Sequence, residues 1–351
     1  MNDAMQQSNK PVVLVTGASG LIGKRIINKL SDRYQCIGLD KIGNPRADRK
    51  TENICIDITD PRSIESALQR VQFAYGNEIS SVIHLAAYYD FKGEPSDLYD
   101  KVTVNGTKNL LLALQKLNVK QFIFSSTNLV YKPTEPGEKI HEDWPLEPAW
   151  DYPESKVTTE KIIQEERGTI PVVVLRLSGV YNEEGNSIPI TNQIQRIYEK
   201  DLTSHFFPGD LLHGNAFVHL DDLDNALEKT VEKRNELPAY ITINISEPKT
   251  YSYDELQNII GELIHGEEWK TFEIPKPLAK VGAWAQDVVG EPFIKPWMIN
   301  LADDHYEMDI SRAVTYLDWE PKYDLKSTLP AMIRNLKADP EKWYKANKLT
   351  A

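Results

Sequence analysis

Tyr152 and Lys156 stand four positions apart in the stretch Asp-Tyr-Pro-Glu-Ser-Lys. On a helix that spacing puts both side chains on one face, within reach of a single site. A free tyrosine, with a pKa of about 10, is a poor base near neutrality. A neighbouring ammonium stabilises the phenolate and brings the group toward the working range, so the pair suggests proton exchange with a substrate hydroxyl. Thr127, 25 residues upstream, follows the apolar run Gln121-Phe-Ile-Phe124. Its place just past the carboxyl end of a strand is where open α/β sheets collect ligands, and its hydroxyl can polarise a substrate oxygen. A Tyr and a Lys four apart occur on many ordinary helices, so the surrounding elements must decide what the pair means.

Short β-branched runs at 12–15, 35–39, 53–56, 81–85, 121–124 and 171–176 read as buried strands. Segments 21–30, 104–117 and 154–166 space their apolar residues at three and four and read as helices. Strict alternation implies parallel strands joined by right-handed crossovers, hence an α/β fold on a doubly wound, Rossmann-type parallel sheet. After Arg176 the rhythm loosens, and a smaller C-terminal lobe, with 251–305 helical, is expected to supply substrate contacts. Most of the tryptophans (269, 284, 297, 319 and 343) fall in or near it; packing accounts for most, with one or two expected at a substrate pocket.

Directly after the first strand comes Thr16-Gly-Ala-Ser-Gly-Leu-Ile-Gly23. Gly17 allows the tight turn, Gly20 lets backbone approach a pyrophosphate, and Gly23 lets the helix pack on the strand, while the helix N-terminus offers free N–H groups to phosphate. The second strand ends in Leu39-Asp40, whose carboxylate can accept from both ribose hydroxyls; this favours NAD, although Lys41 and Arg46 leave NADP open. The expected division is therefore 10–177 with 216–246 and 308–336 for the dinucleotide-binding domain, and 178–215 with 247–307 for the substrate lobe. Residues 337–351 form a tail helix capped by Asp339 with Pro340 at its first turn.

With these motifs in order, the sequence resembles the extended short-chain dehydrogenase/reductases, also called the NAD-dependent epimerase/dehydratase group, over roughly residues 10 to 335. The matching pieces are the glycine motif, Asp57-Ile58, His84-Leu-Ala-Ala87, Val104-Asn-Gly-Thr107, Phe124-Ser-Ser-Thr127, Tyr152-Pro-Glu-Ser-Lys156 and Phe217-Val-His-Leu-Asp-Asp222. The resemblance implies catalysis by Thr127, Tyr152 and Lys156, with Lys156 also holding the nicotinamide ribose. It implies cofactor contacts from Gly17, Ser19, Gly20, Leu21, Ile22, Gly23, Asp40, Asp57, Ile58, Leu85, Ala86, Ala87, Tyr152 and Lys156. It also implies a homodimer formed through the helices near Leu110 and Lys156.

Departures from the family pattern bear on the substrate. Sugar-nucleotide dehydratases carry Asp-Glu after the catalytic Thr, whereas Asn128-Leu129 cannot shuttle the proton that elimination of water needs. Sugar-nucleotide epimerases place an arginine just before the Phe-Val-His strand, an asparagine after the sixth strand and a second arginine in the lobe. Here the segments read Leu212-His-Gly-Asn215-Ala-Phe217, Leu177-Ser-Gly179-Val-Tyr181 and Ile299-Asn-Leu-Ala-Asp-Asp304. With both cations missing, a diphosphate lacks its counter-charges unless Lys276, Lys280 or Lys295 replaces them, and a smaller or more apolar alcohol fits better. The Ser-Gly-Val-Tyr stretch is similar to hydroxysteroid-dehydrogenase and flavonol-reductase relatives.

The first expectation is thus an NAD-dependent oxidoreductase moving a hydride between the cofactor and a secondary alcohol or ketone, with Tyr152 as acid and base. The alternative is a nucleotide-sugar epimerase working through a transient ketone, and the third a cofactor-sensing protein without turnover. Bulk properties agree with a small-molecule enzyme. The 351 residues, 41% hydrophobic, can bury a full core. A formal charge of −12 without a basic patch argues against nucleic acid and anionic lipid. The polar start and the lack of any run of about 18 apolar residues point to a cytoplasmic protein without a membrane span. Cys36 and Cys55 sit in apolar runs, and His84, His213, His219 and His305 have no metal-motif spacing, so neither disulfides nor a metal is expected.

Overall fold

A computed structural model describes residues 10–42, 51–90, 95–277 and 299–349. Its centre is a sheet of seven strands: β1 (Val12–Thr16), β2 (Gln35–Asp40), β3 (Glu52–Cys55), β4 (Ser81–His84), β5 (Phe122–Thr127), β6 (Val172–Leu177) and β7 (Tyr240–Ile245). They lie side by side in the order β7-β6-β5-β4-β1-β2-β3, and every pairing is parallel. The chain order reverses between β1 and β4, which makes the carboxyl ends of these two strands the switch point where such sheets bind ligands. Strands buried on both faces need continuous apolar runs, and β1 and β6 are buried at every position.

Helices cover both faces. On one side α1 (Leu21–Leu30) and α6 (Leu220–Glu232) pack with Trp319 against the sheet. On the other lie α2 (Pro61–Tyr75), α3 (Gly106–Leu114) and α4 (Asp151–Glu166). The helix read at 104–117 begins earlier than expected, as a wide π-helical turn over Tyr99–Asn105 that passes into α3 and ends at Leu114. Gly106 sits where that turn meets Ile58: a Cβ there would come within 3.0 Å of the Ile58 side chain.

Past β6 the strand Gly179–Tyr181 pairs with Phe217–His219, and Phe206–Phe207 pairs with Phe272–Glu273. A separate apolar core joins α5 (Ile188–Tyr198) and α7 (Tyr253–His265) to α9 (Leu325–Ala338), which follows α8 (Ser311–Leu317). Only part of 251–305 is helical among the described residues, and Trp284, Trp297, Arg46, Lys280 and Lys295 lie outside them. The tail folds as α10 (Pro340–Ala346), with Asp339 accepting from the Lys342 N–H at 3.0 Å, and buries Trp343 and Tyr344 in that same core.

Candidate active site

β1 ends at Thr16, and the chain turns through Gly17 at φ +67° into α1. A side chain at Gly17 would meet the Ala86 nitrogen at 3.0 Å, and one at Gly23 would lie 2.2 Å from the Gly17 carbonyl oxygen. The loop after β1 is thus pressed between α1 and the loop after β4. No side chain caps α1 at Gly20, so its first-turn N–H groups have no acceptor within the helix. Asp40, at the end of β2, ties this loop down: its carboxylate accepts from the Ser19 N–H at 2.9 Å and the Ile42 N–H at 3.0 Å, and the Ser19 hydroxyl donates to the Ile42 carbonyl at 2.8 Å. Carboxylate lone pairs remain for a ligand. Asp57 is held below the usual carboxylate range by hydrogen bonds from Thr59, with Lys41 adding its charge from 3.2 Å. Ile58 packs on Gly106.

His84 fastens the loop that carries Leu85, Ala86 and Ala87. It is fully buried, its Nε2 lies 2.8 Å from the Thr107 hydroxyl and its Nδ1 2.7 Å from the Thr16 hydroxyl. Thr107 donates its own proton to the Thr103 carbonyl, so Nε2–H must donate to Thr107, and Nδ1 then accepts from Thr16. Thr16 in turn accepts from the N–H groups of Leu85 and Ala86, each at 3.2 Å. Burial pushes the imidazole down to about 3, so it stays neutral. Both ring nitrogens are consumed in joining β1, β4 and α3.

Thr127 closes β5, and α4 brings Tyr152 and Lys156 to the same end of the sheet. The Lys156 ammonium donates to the Ser125 carbonyl at 2.7 Å and lies 4.8 Å from the Phe124 ring centre and 5.8 Å from that of Tyr152. Burial lowers it to about 8, against the pull of Glu160. The expectation that Lys156 brings the tyrosine toward neutrality is not met in this arrangement. Burial pushes the Tyr152 hydroxyl above the usual phenol range and Tyr89 adds to this, while a hydrogen bond from Thr127 acts against them. Desolvation outweighs the ammonium because Lys156 is turned onto the Ser125 carbonyl rather than onto the phenol. In this arrangement burial favours the neutral phenol of Tyr152.

Ile22, Leu85, Ala87, Thr127, Tyr152 and Lys156 share the wall of one cavity of about 670 Å³. Of the other expected cofactor residues, Gly17 abuts Leu85 and Ala86, Ser19 is bonded to Asp40, and Asp57 with Ile58 lies beyond Lys41. The cavity continues into the part of the chain after β6, where Phe206, Phe207, Tyr251, Tyr253 and Tyr306 form aromatic walls.

Among the lining residues that the sequence reading did not single out are Tyr89, Trp150 and Arg196, while Asp304, read as an acidic residue in the place of the lobe arginine, also reaches the wall. The Tyr89 ring stands edge-on to Tyr152 at 4.8 Å and the Trp150 ring tilts against it at 5.5 Å. Trp150 was legible only as the residue two before Tyr152. Trp269, Trp319 and Trp343, candidates by location, are core residues. Arg196 donates to the Thr203 hydroxyl at 3.1 Å and sits 3.8 Å from the Asp201 carboxylate; its place on α5 gave no signal. Burial raises the Asp304 carboxyl to about 6. Gly179, in the asparagine position, lies under Phe217, where a Cβ would come within 2.8 Å of the ring, so the missing side chain and the neighbouring phenylalanine go together.

A turn with no room for a side chain at Gly17 or Gly23, an uncapped helix N-terminus and a carboxylate ending the second strand together fit a dinucleotide. Comparison with known proteins agrees. The model of the NAD dependent epimerase/dehydratase family matches residues 13–246. A putative UDP-glucose 4-epimerase of Methanocaldococcus jannaschii is 27% identical over 338 residues, 93% of this chain and 98% of that protein. A 3-beta-hydroxysteroid dehydrogenase of Mycolicibacterium neoaurum is 25% identical over 234 residues, 63% of this chain and 60% of its own length. Among solved structures, UDP-glucuronic acid 4-epimerase from Bacillus cereus, in complex with UDP-glucuronic acid and NAD, superposes with a TM-score of 0.71 at 21% identity, covering 93% of this chain and 99% of that one. At that identity the likeness is one of fold.

Proposed function

The chain belongs to the NAD-dependent epimerase/dehydratase family and uses NAD, and from that premise we propose that it oxidises and reduces a secondary alcohol carbon, with Tyr152 exchanging the hydroxyl proton. The observation that carries this reading is the convergence of Thr127, Tyr152 and Lys156 on the cavity wall shared with Ile22, Leu85 and Ala87. When bound, oxidised NAD supplies the hydride acceptor and a positive ring charge, which favours the phenolate that burial alone disfavours. The glycine loop and Asp40 would hold the cofactor, and Lys156 would take its nicotinamide ribose. Thr127 orients the substrate oxygen, and Tyr152 gives or takes the proton on it. Asn128 and Leu129 line the same wall and neither offers a group that titrates near neutral pH, which argues against elimination of water.

For the substrate we propose a neutral alcohol with an apolar body. Among the described residues the charged side chains on the cavity wall, histidine aside, are Lys156, Arg196 and Asp304. Arg196 faces Asp201, and Lys276 is held by Asp303 and the Asn300 carbonyl, so a desolvated diphosphate would find little free positive charge. The hydroxysteroid-dehydrogenase relative supports this choice. The second reading, epimerisation of a nucleotide sugar with NAD regenerated in place, is favoured by the full-length match to the putative UDP-glucose 4-epimerase and by Arg196 in the wall. A panel of sterols, simple hydroxy compounds and nucleotide sugars, followed by NADH absorbance and by product analysis, separates them. Net NADH change with apolar alcohols is expected; conversion of nucleotide sugars without net NADH change would overturn the substrate assignment.

Asp40→Ala is expected to weaken NADH binding about ten- to a hundredfold, the value of a charged hydrogen bond, and to narrow the gap to NADPH. Fluorescence titration with both cofactors measures it. Weaker binding with an unchanged NADH-to-NADPH ratio would make Asp40 a brace for the loop alone.

No helix among the described residues is long and apolar enough to cross a membrane. A cytoplasmic enzyme that dimerises through α3 and α4 is part of the same proposal. Leu110 points into the core, whereas Leu112 is 41% exposed and available to a partner.

A further inference from the structure

The C-terminal helix α10 takes no part in the chemistry proposed above, yet one side chain at its end reaches the chain that forms the cavity wall. After the strand Gly179–Tyr181 comes a tight hairpin in which Asn182 and Gly185 exchange backbone hydrogen bonds, at 3.0 and 2.9 Å. Gly185 stands at φ +100° and Asn186 at φ +58°, a left-handed conformation that residues other than glycine adopt seldom and that outside contacts must hold. Asn347 supplies such contacts. Its Oδ1 accepts from the Asn186 N–H at 2.8 Å, while its Nδ2 donates to the Glu184 carbonyl at 2.8 Å and to the Trp343 carbonyl at 2.9 Å. From α9, Asn335 donates to the Glu183 carbonyl at 2.9 Å. Asn347 is buried, and α10 is anchored by Trp343 and Tyr344 in the core of the lobe.

We propose that Asn347, with Asn335 beside it, is a positioning residue for the substrate wall: by holding the 182–186 hairpin it sets where the chain enters α5. Asn186, Ser187, Ile188, Pro189 and Ile190, the residues that make this entry, all line the cavity. Calling that wall the substrate's rests on the reaction proposed above. At Ser187 no side chain caps α5, so the helix start has no side-chain lock of its own. The Asn186 side chain donates to Asn182 Oδ1 at 2.7 Å, which ties the first wall residue to the hairpin that Asn347 holds. The fit leaves no slack. A Cβ on Gly185 would come within 2.6 Å of the Asn347 Oδ1 and 2.5 Å of the Thr191 methyl, so the tail amide, the hairpin and the start of α5 meet at one point.

Asn347 also ends α10, so a variant there loosens the helix as well as the hairpin. The control is Asp339→Ala, which removes the cap at the other end of the same helix, on the Lys342 N–H, and leaves the bonds to the hairpin in place. On the full-length protein both variants should melt a few degrees below wild type. Asn347→Ala should raise KM for a substrate from the panel about five- to tenfold with kcat and NADH affinity within about twofold of wild type, the mark of lost uniform binding. Asp339→Ala should leave KM within about twofold. Peptide-resolved hydrogen exchange over 182–190 should quicken about tenfold in Asn347→Ala and not in Asp339→Ala. Equal effects of the two variants on KM, or no effect of either, would overturn the proposal and leave Asn347 as a helix cap. Should Asn347→Ala not fold, Asn335→Ala decides, since it frees the hairpin from α9 alone, and an unchanged KM there overturns the proposal as well. If the wild type turns over no substrate of the panel, it is the proposed reaction that fails. Hydrogen exchange then judges the hold on the hairpin by itself, and unchanged exchange in Asn347→Ala would sink it.

Discussion

Tyr152→Phe is expected to lower turnover about a hundred- to ten-thousandfold, the usual contribution of a placed acid or base, while NADH binding changes little. The substitution removes one oxygen and keeps the ring, so the contacts with Tyr89 and Trp150 at 4.8 and 5.5 Å survive. Lys156 also keeps its bond to the Ser125 carbonyl. What disappears is the proton that burial holds on the phenol, and with it the partner of Thr127. Steady-state turnover with a substrate from the panel and a parallel NADH titration test both halves. Turnover within tenfold of wild type would mean that another group moves the proton. Tyr89, which lines the same cavity and is raised by burial to about 12, is then the residue to remove next.

How far this site could be read from the sequence follows from the range of the interactions involved. The glycine turn, Asp40 and the 152/156 pair are local patterns, in which a spacing of three or four residues already implies a shared turn or face. The strands show as apolar runs because a sheet covered on both faces favours apolar side chains, the exceptions such as His84 being fully hydrogen-bonded. His84 needed contacts from Thr16 and Thr107, 68 positions back and 23 ahead, before its role as a fastener between strands and helix was visible. Arg196 lies on α5, where the buried Ile190, Ile194 and Ile197 mark a helix but not which of its polar residues meets a cavity, and Asp304 reaches the same wall from a distant segment through tertiary packing alone. The sign of the tyrosine's shift was missed for a related reason. Proximity along a helix suggested an ammonium beside a phenol, but the Ser125 carbonyl, contributed by β5, takes that ammonium first.

Gly23→Ala is expected to cost about 1–3 kcal/mol of stability, the usual range for a methyl forced into packed space, and at least tenfold in NADH affinity. The added carbon would sit 2.2 Å from the Gly17 carbonyl oxygen and 2.8 Å from the Ala18 Cα, both backbone atoms. Neither can retreat. Gly17 is already at φ +67°, with the Ala86 nitrogen and the Leu85 carbonyl 3.0 to 3.2 Å from where its own Cβ would stand. Those two residues are in turn pinned to Thr16 and thereby to His84. The strain must therefore lift the start of α1 away from β1, moving the N–H groups that would meet the pyrophosphate. Gly20→Ala makes the contrast, because its Cβ would meet only the Gly17 oxygen, at 3.2 Å, in an extended backbone that any residue adopts. That variant should melt close to wild type and still bind NADH poorly, since the methyl occupies the face where backbone and phosphate are to approach. Thermal melts and NADH titrations of the two variants separate packing from ligand approach. If Gly20→Ala bound NADH as wild type does, the pyrophosphate would not lie against this turn, and the cofactor position proposed for Ser19, Leu21 and Ile22 would fall with it.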